Sequence, residues 1–219
     1  MIRRIRRLAV PGALLLPLLA AHSGGWATIT VKDLPDYVVA RHPAELAFTI
    51  RQHGVEPMND LSPVVEATMG KLHTTAKAAR GTAPGEYVVA LNLPEPGEWT
   101  VTIHSRFGPS SVTLLPLLAT GGGALSPPTF TPAERGHRLF VAKGCITCHV
   151  HREVKGSGVV KVGPELTQMR YAADYLARFL ENPTIKPVTG PNRMPNLRLT
   201  QTEIAALVAF LNEERKQPR

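Results

Sequence analysis

Two hydrophobic periodicities divide the chain. From residue 28 to about 115, apolar positions alternate with polar ones. In Glu98-Trp99-Thr100-Val101-Thr102-Ile103-His104, the residues Trp99, Val101 and Ile103 share one face, and Thr100, Thr102 and His104 share the other. That is the period of a strand with one buried side. Leu46, Phe48 and Ile50 repeat it, and Glu86-Tyr87-Val88-Val89-Ala90-Leu91 is a further β-branched and aromatic run. Leu93-Pro94-Glu95-Pro96-Gly97 separates the two longer runs as a turn. About seven such strands at short spacing predict an all-β, immunoglobulin-like sandwich.

After residue 130 the period becomes helical. Thr131-Pro132-Ala133-Glu134 is a capping box with proline at the first helical position. The helix it opens is expected to run to about Lys143 and to end at Gly144. A second helix is expected from about Ala172 to Leu180, ahead of Pro183. Thr200-Gln201-Thr202-Glu203 is another capping box, and Ile204, Leu207, Val208 and Leu211 then recur on one face. This stripe is expected to bury against the first helix, where Gly136 leaves room for an aromatic such as Phe210. Between the two halves, residues 116–130 carry no charge and are rich in Gly, Ser and Pro, the composition of an interdomain linker.

The N-terminus reads as an export signal. Arg3, Arg4, Arg6 and Arg7 precede an apolar run from Leu8 to Ala21, interrupted by Pro11 and Pro17. The run falls short of the about 20 apolar residues that a membrane span needs. Gly25-Trp26-Ala27 places small residues where a signal peptidase reads them, so the signal is expected to cover residues 1–27 and to end after Ala27. Retention as an anchor is the alternative. The expected boundaries are then 1–27 signal, 28–115 sandwich, 116–130 linker and 131–219 helical domain. The net charge of +8 is uneven: residues 28–130 are slightly acidic and residues 131–219 are basic. The basic half suits a partner with an acidic docking surface, or an anionic membrane complex. Nucleic acid is not expected as a partner, because no basic-aromatic interleaving accompanies the charge.

The chain has two cysteines, both in Gly144-Cys145-Ile146-Thr147-Cys148-His149-Val150-His151. A thioredoxin-like pair would open a helix after a strand, and no strand pattern is near. A zinc site usually draws two ligand pairs from separate places, whereas Cys145, Cys148, His149 and His151 lie within seven residues. Covalent haem needs what is present. Two thiols three apart reach the two vinyl groups, and the next imidazole comes under the iron. His151 is too close to His149 to reach the other face and is expected at the surface. The second axial ligand must come from far along the chain. Met194, in Asn192-Arg193-Met194-Pro195-Asn196, is expected to fill this place, with Met169 as its rival.

Residues 131–219 resemble a class I monohaem cytochrome c domain. The resemblance is carried by Gly136 with Phe140, the Cys145–His149 motif, Gly163-Pro164-Glu165-Leu166, Tyr175 to Pro183, Met194-Pro195 and the closing helix. It implies an all-α cytochrome c fold with one covalent haem c on Cys145 and Cys148. His149 and Met194 would be the iron's axial ligands, and the Pro164 carbonyl would orient His149. With both axial positions filled, the expected activity is single-electron transfer rather than stand-alone catalysis. No Ser/His/Asp set or paired carboxylates support hydrolysis.

Met69-Gly70-Lys71-Leu72-His73, Pro84-Gly85-Glu86-Tyr87 and Pro96-Gly97-Glu98-Trp99 resemble exported immunoglobulin-like domains of the YtkA/FixH type. Some of these are linked to copper handling or oxidase assembly. Met58, Met69, His73 and His104 could supply thioether and imidazole ligands for copper. The preferred expectation is that the methionines pack and the histidines face water, the sandwich serving to hold the haem domain near a partner. The expected function is an exported, periplasmic c-type cytochrome. The alternatives are a haem subunit of a larger oxidoreductase complex and a copper-handling or oxidase-assembly protein.

Overall fold

The computed structural model describes residues 25–123, 128–156, 158–185 and 194–213. Its first half contains the strands β1 (Ala27–Val31), β2 (Tyr37–Val39), β3 (Ala44–Gln52), β4 (Glu56–Pro57), β5 (Val64–Met69), β6 (Leu72–Lys77), β7 (Ala79–Arg80), β8 (Glu86–Leu91), β9 (Gly97–His104), β10 (Ser111–Thr113) and β11 (Leu117–Thr120). One sheet runs β1-β3-β8-β7, with β4 on the edge of β3. The other runs β2-β11-β9-β5-β6, with β10 also on β9. The alternation read from the sequence is the alternation of burial. Trp99, Val101 and Ile103 on β9 meet Leu46, Phe48 and Ile50 on β3 in one core, each almost wholly removed from water.

The polar tips of the large aromatics are satisfied inside this core. Trp99 Nε1 donates to the Glu95 carbonyl at 2.9 Å, and the Tyr87 hydroxyl donates to the Met58 carbonyl at 2.7 Å.

The second half is helical: α1 (Pro132–Ala142), α2 (Cys145–Cys148), α3 (Ala173–Glu181) and α4 (Gln201–Leu211), with a short 3₁₀ turn at Pro183–Ile185. Both expected capping boxes form. Thr131 Oγ1 accepts from the Glu134 amide and Thr200 Oγ1 from the Glu203 amide, each at 3.2 Å. The helices α1 and α4 cross at Gly136, where an added Cβ would lie 2.6 Å from Phe210 Cβ and closer still to the Ala206 carbonyl. Only glycine permits that approach. Among the described residues no helix is long and apolar enough to cross a membrane.

Three features depart from the reading of the sequence. The expected linker begins with a strand: β11 pairs antiparallel with β9 and parallel with β2. Its apolar residues Leu117 and Ala119 are buried, which an uncharged Gly/Pro-rich setting concealed. Trp26 and Ala27, placed on the signal side of the expected cut, belong to the fold. The Ala27 amide donates to Ser110 Oγ at 2.9 Å, and the Trp26 carbonyl accepts from the His53 amide at 3.0 Å. His151 is buried rather than at the surface, its ring 4.8 Å from Phe210 and 5.7 Å from Phe140 between centroids.

The two halves also pack on each other, through charges that a sequence presents as solvated. The Arg135 guanidinium forks onto Asp36, with Nη1 and Nη2 2.7 and 2.6 Å from its two carboxylate oxygens. Arg138 donates to the Pro116 carbonyl at 2.8 Å and covers the Phe130 ring. Lys143, 4% exposed, reaches the Lys32 carbonyl at 2.6 Å and Glu203 Oε1 at 2.5 Å.

Glu203→Gln keeps an acceptor for the Thr200 amide but strands the Lys143 ammonium. The expected loss is about 3 kcal/mol in denaturant unfolding. Adding Lys143→Met to that variant should recover most of it, and strict additivity of the two changes would exclude the coupling.

Candidate haem-binding site

The site is built where α1 gives out. Lys143 caps the helix, Gly144 turns the chain through a left-handed conformation, and the single turn α2 presents Cys145 and Cys148. His149 then leaves in extended geometry. The following loop folds back and is laced to α2 by main-chain bonds. Gly158 donates to Ile146 at 2.6 Å, Val160 to Thr147 at 3.0 Å and Gly163 to Cys148 at 3.0 Å. This lacing brings Pro164 beside His149, so that the imidazole Nδ1 lies 3.0 Å from the Pro164 carbonyl oxygen. A carbonyl can only accept, so Nδ1 carries the proton and Nε2 keeps its lone pair. Burial lowers the His149 pKa and the Pro164 bond opposes it. The ring is therefore neutral near pH 7, the form that ligates a metal. Gly163 leaves room for the ring, since a Cβ there would stand 2.6 Å from Nδ1.

Cys145, Cys148, His149, Pro164 and Met194 line one cavity of about 280 Å³. Its walls are apolar: Phe140 from α1, Leu166, Leu176 and Leu180 around α3, and Leu207 and Leu211 from α4. Tyr171, Tyr175 and Phe179 extend the wall along one face of the α3 segment, with successive ring centroids 6.3 and 6.2 Å apart. Asn212 fixes the start of this ladder by donating to the Tyr171 carbonyl at 2.9 Å and accepting from its amide at 3.2 Å. Met194 is half-buried in the cavity, whereas its rival Met169 is exposed and does not line it.

Both thiols are free. Burial pushes the Cys145 thiol up to about 12, with Cys148 adding to the effect, and pushes Cys148 up to about 11. A redox dithiol needs the opposite shift to make thiolate near neutral pH. Among the described residues no group of three or more His, Cys, Asp and Glu side chains is arranged to hold a metal ion. The donor set of two thiols, one neutral imidazole and one thioether in an apolar slot instead matches the chemistry of an iron porphyrin. The group fits the residues present.

Of the candidate copper residues on the sandwich, the two imidazoles come together and the two methionines pack elsewhere. Glu66 on β5 takes both imidazoles, with His73 Nε2 3.2 Å from one carboxylate oxygen and His104 Nε2 3.3 Å from the other. Met69 packs its sulfur against Gly97, and Met58 packs against the core beside Tyr87. Sequence reasoning missed four cavity residues from the first half of the chain: Trp26, Thr28, His53 and Gly54. Trp26 had been assigned to the signal, and a turn histidine carries no pattern that points to a distant cavity.

The family described as YtkA-like matches residues 27–104, and the family described as Cytochrome c matches residues 133–214. No curated protein matches the chain. A cytochrome c domain carries haem, transfers electrons and works with redox partner proteins. The chain thus joins two domains, a YtkA-like β domain at residues 27–104 and a haem-bearing cytochrome c domain at residues 133–214.

Proposed function

We propose that the chain is an exported, periplasmic monohaem c-type cytochrome that carries single electrons. The observation that supports this most strongly is the convergence of Cys145, Cys148, His149 and Met194 on one apolar cavity, with His149 held by Pro164. Cys145 and Cys148 would hold the porphyrin covalently through thioether bonds. His149 Nε2, with its lone pair free, would be the imidazole ligand to the iron. The Pro164 carbonyl holds the ring's orientation and increases its basicity through Nδ1. Met194, which lines the same cavity, would supply the thioether ligand. The haem contributes a reversible one-electron couple, and the thioether favours the reduced state and raises the potential.

The surface around the site supports an acidic partner. Arg152, Lys155 and Lys161 stand exposed on the loop between His149 and Pro164, and Arg170 stands exposed before α3. Such a cationic rim accelerates encounter with an acidic protein and loses that advantage as salt screens it. Export supplies the compartment, with Arg3, Arg4, Arg6 and Arg7 ahead of the Leu8–Ala21 run as its sequence basis.

Two measurements test the ligand set. The purified protein should keep its pigment in acidified organic solvent, whereas Cys145→Ser with Cys148→Ser should release any pigment it holds. Extraction from the unaltered protein would overturn covalent attachment. Met194→Ala should lose the weak far-red absorption band of the oxidised protein, bind carbon monoxide when reduced and shift to lower potential. A band that survives in Met194→Ala but disappears in Met169→Ala would reassign the ligand.

A further inference from the structure

We infer that the β domain is the outer wall of the haem pocket, with Trp26 and His53 screening the bound group from water and small solutes. The inference rests on the haem reading proposed above and adds to it a role for the sandwich. Three contacts carry it. Strand β1 stands against the residue that precedes Cys145, because a Cβ on Gly144 would lie 2.6 Å from the Ile29 carbonyl oxygen. The turn between β3 and β4 stands against the residue that follows Met194, since a Cβ on Gly54 would lie 3.7 Å from Pro195 Cγ. Between these two contacts, the Trp26 and His53 rings meet at 5.3 Å and 57°, and both line the cavity shared with Cys145 and Met194.

The wall is fixed in place. Asp36 with Arg135 and Lys143 with the Lys32 carbonyl hold the sandwich to α1 at two separate points. The His53 amide donates to the Trp26 carbonyl at 3.0 Å, so the two ring-bearing segments are tied directly. Trp26 is the half-buried inner member of the pair and His53 the exposed outer one.

An apolar shell that excludes water from a metal centre lowers the local dielectric and disfavours its more highly charged state. For iron in haem that state is ferric, so the wall raises the reduction potential. It also slows small reductants, which need direct access to the group. Neither residue changes oxidation state itself. The wall further requires that Trp26 remain in the mature chain. Ala21-His22-Ser23 offers a second small-x-small cleavage pattern, upstream of Trp26.

The test uses the exported holoprotein and the variants Trp26→Ala, Trp26→Phe and His53→Asn. Asparagine tolerates the left-handed backbone at position 53, where φ is 52°. Trp26→Ala should lower the midpoint potential and speed reduction by ascorbate several-fold, while the far-red methionine band persists. Trp26→Phe should behave nearly as the unaltered protein, and His53→Asn should move both quantities in the same direction as Trp26→Ala but less. Unchanged potential and ascorbate rate in Trp26→Ala would overturn the inference. If that variant does not accumulate, the same null result in His53→Asn overturns it. Intact-mass measurement showing a mature chain that begins at Thr28 would also overturn it. Pigment lost from the unaltered protein in acidified solvent would instead count against the haem reading, so the two failures are distinguishable.

Discussion

A buried ammonium is the constraint around which this molecule is arranged. Lys143 is closed off from water, and an ion in that position must be paired and hydrogen-bonded or its desolvation goes uncompensated. From its position at the end of α1 it reaches two partners, the Glu203 carboxylate in the first turn of α4 and the Lys32 carbonyl after β1. Satisfying one side chain therefore sets the helix pair and seats the sandwich on it. Glu203 serves twice, because its other carboxylate oxygen closes the capping box at Thr200, 2.9 Å from the amide. The residue after Lys143 is Gly144, and the next is Cys145. The geometry of the cysteine turn is consequently inherited from this junction.

Much of the fold was legible because the signals were local. The capping boxes at Thr131 and Thr200 depend on residues three apart, and the strand alternation in β3 and β9 on residues two apart. Gly136 was legible as a point of close approach because a glycine inside an otherwise good helix has few other uses. The motif Cys145 to His149 was legible for the same reason, its chemistry being contained in five consecutive residues.

What escaped the sequence was set by tertiary contacts. Lys143, Arg135 and Arg138 carry no sequence signal that sets them apart from solvated residues, since charge on a helix usually means water. Here two of them are buried and all three are paired across domains. His151 looked like a surface imidazole beside a ligand, and became core because Phe140 and Phe210 offer it aromatic faces from both long helices. Strand β11 was hidden in a stretch whose composition resembles a linker, and it is held by pairing with strands far away in sequence. The cavity followed the same division. Cys145, Cys148, His149 and Met194 could be named from spacing, whereas Trp26 and His53 reach it only through the docking of one domain on the other.

That docking bears on why a β domain accompanies a small haem domain. The helical half is built from three principal helices around a slot, and its described loops are tied chiefly to α2. The sandwich meets that slot beside Gly144 and Pro195, through the Ile29 carbonyl and Gly54. There β1 and the β3–β4 turn present a sheet-anchored rim on which Trp26 and His53 are mounted. On the reading proposed here, the first domain supplies what the second lacks, a hydrophobic closure held in place by charge pairs. The electronic properties of the haem then belong to the two-domain unit rather than to the cytochrome domain alone.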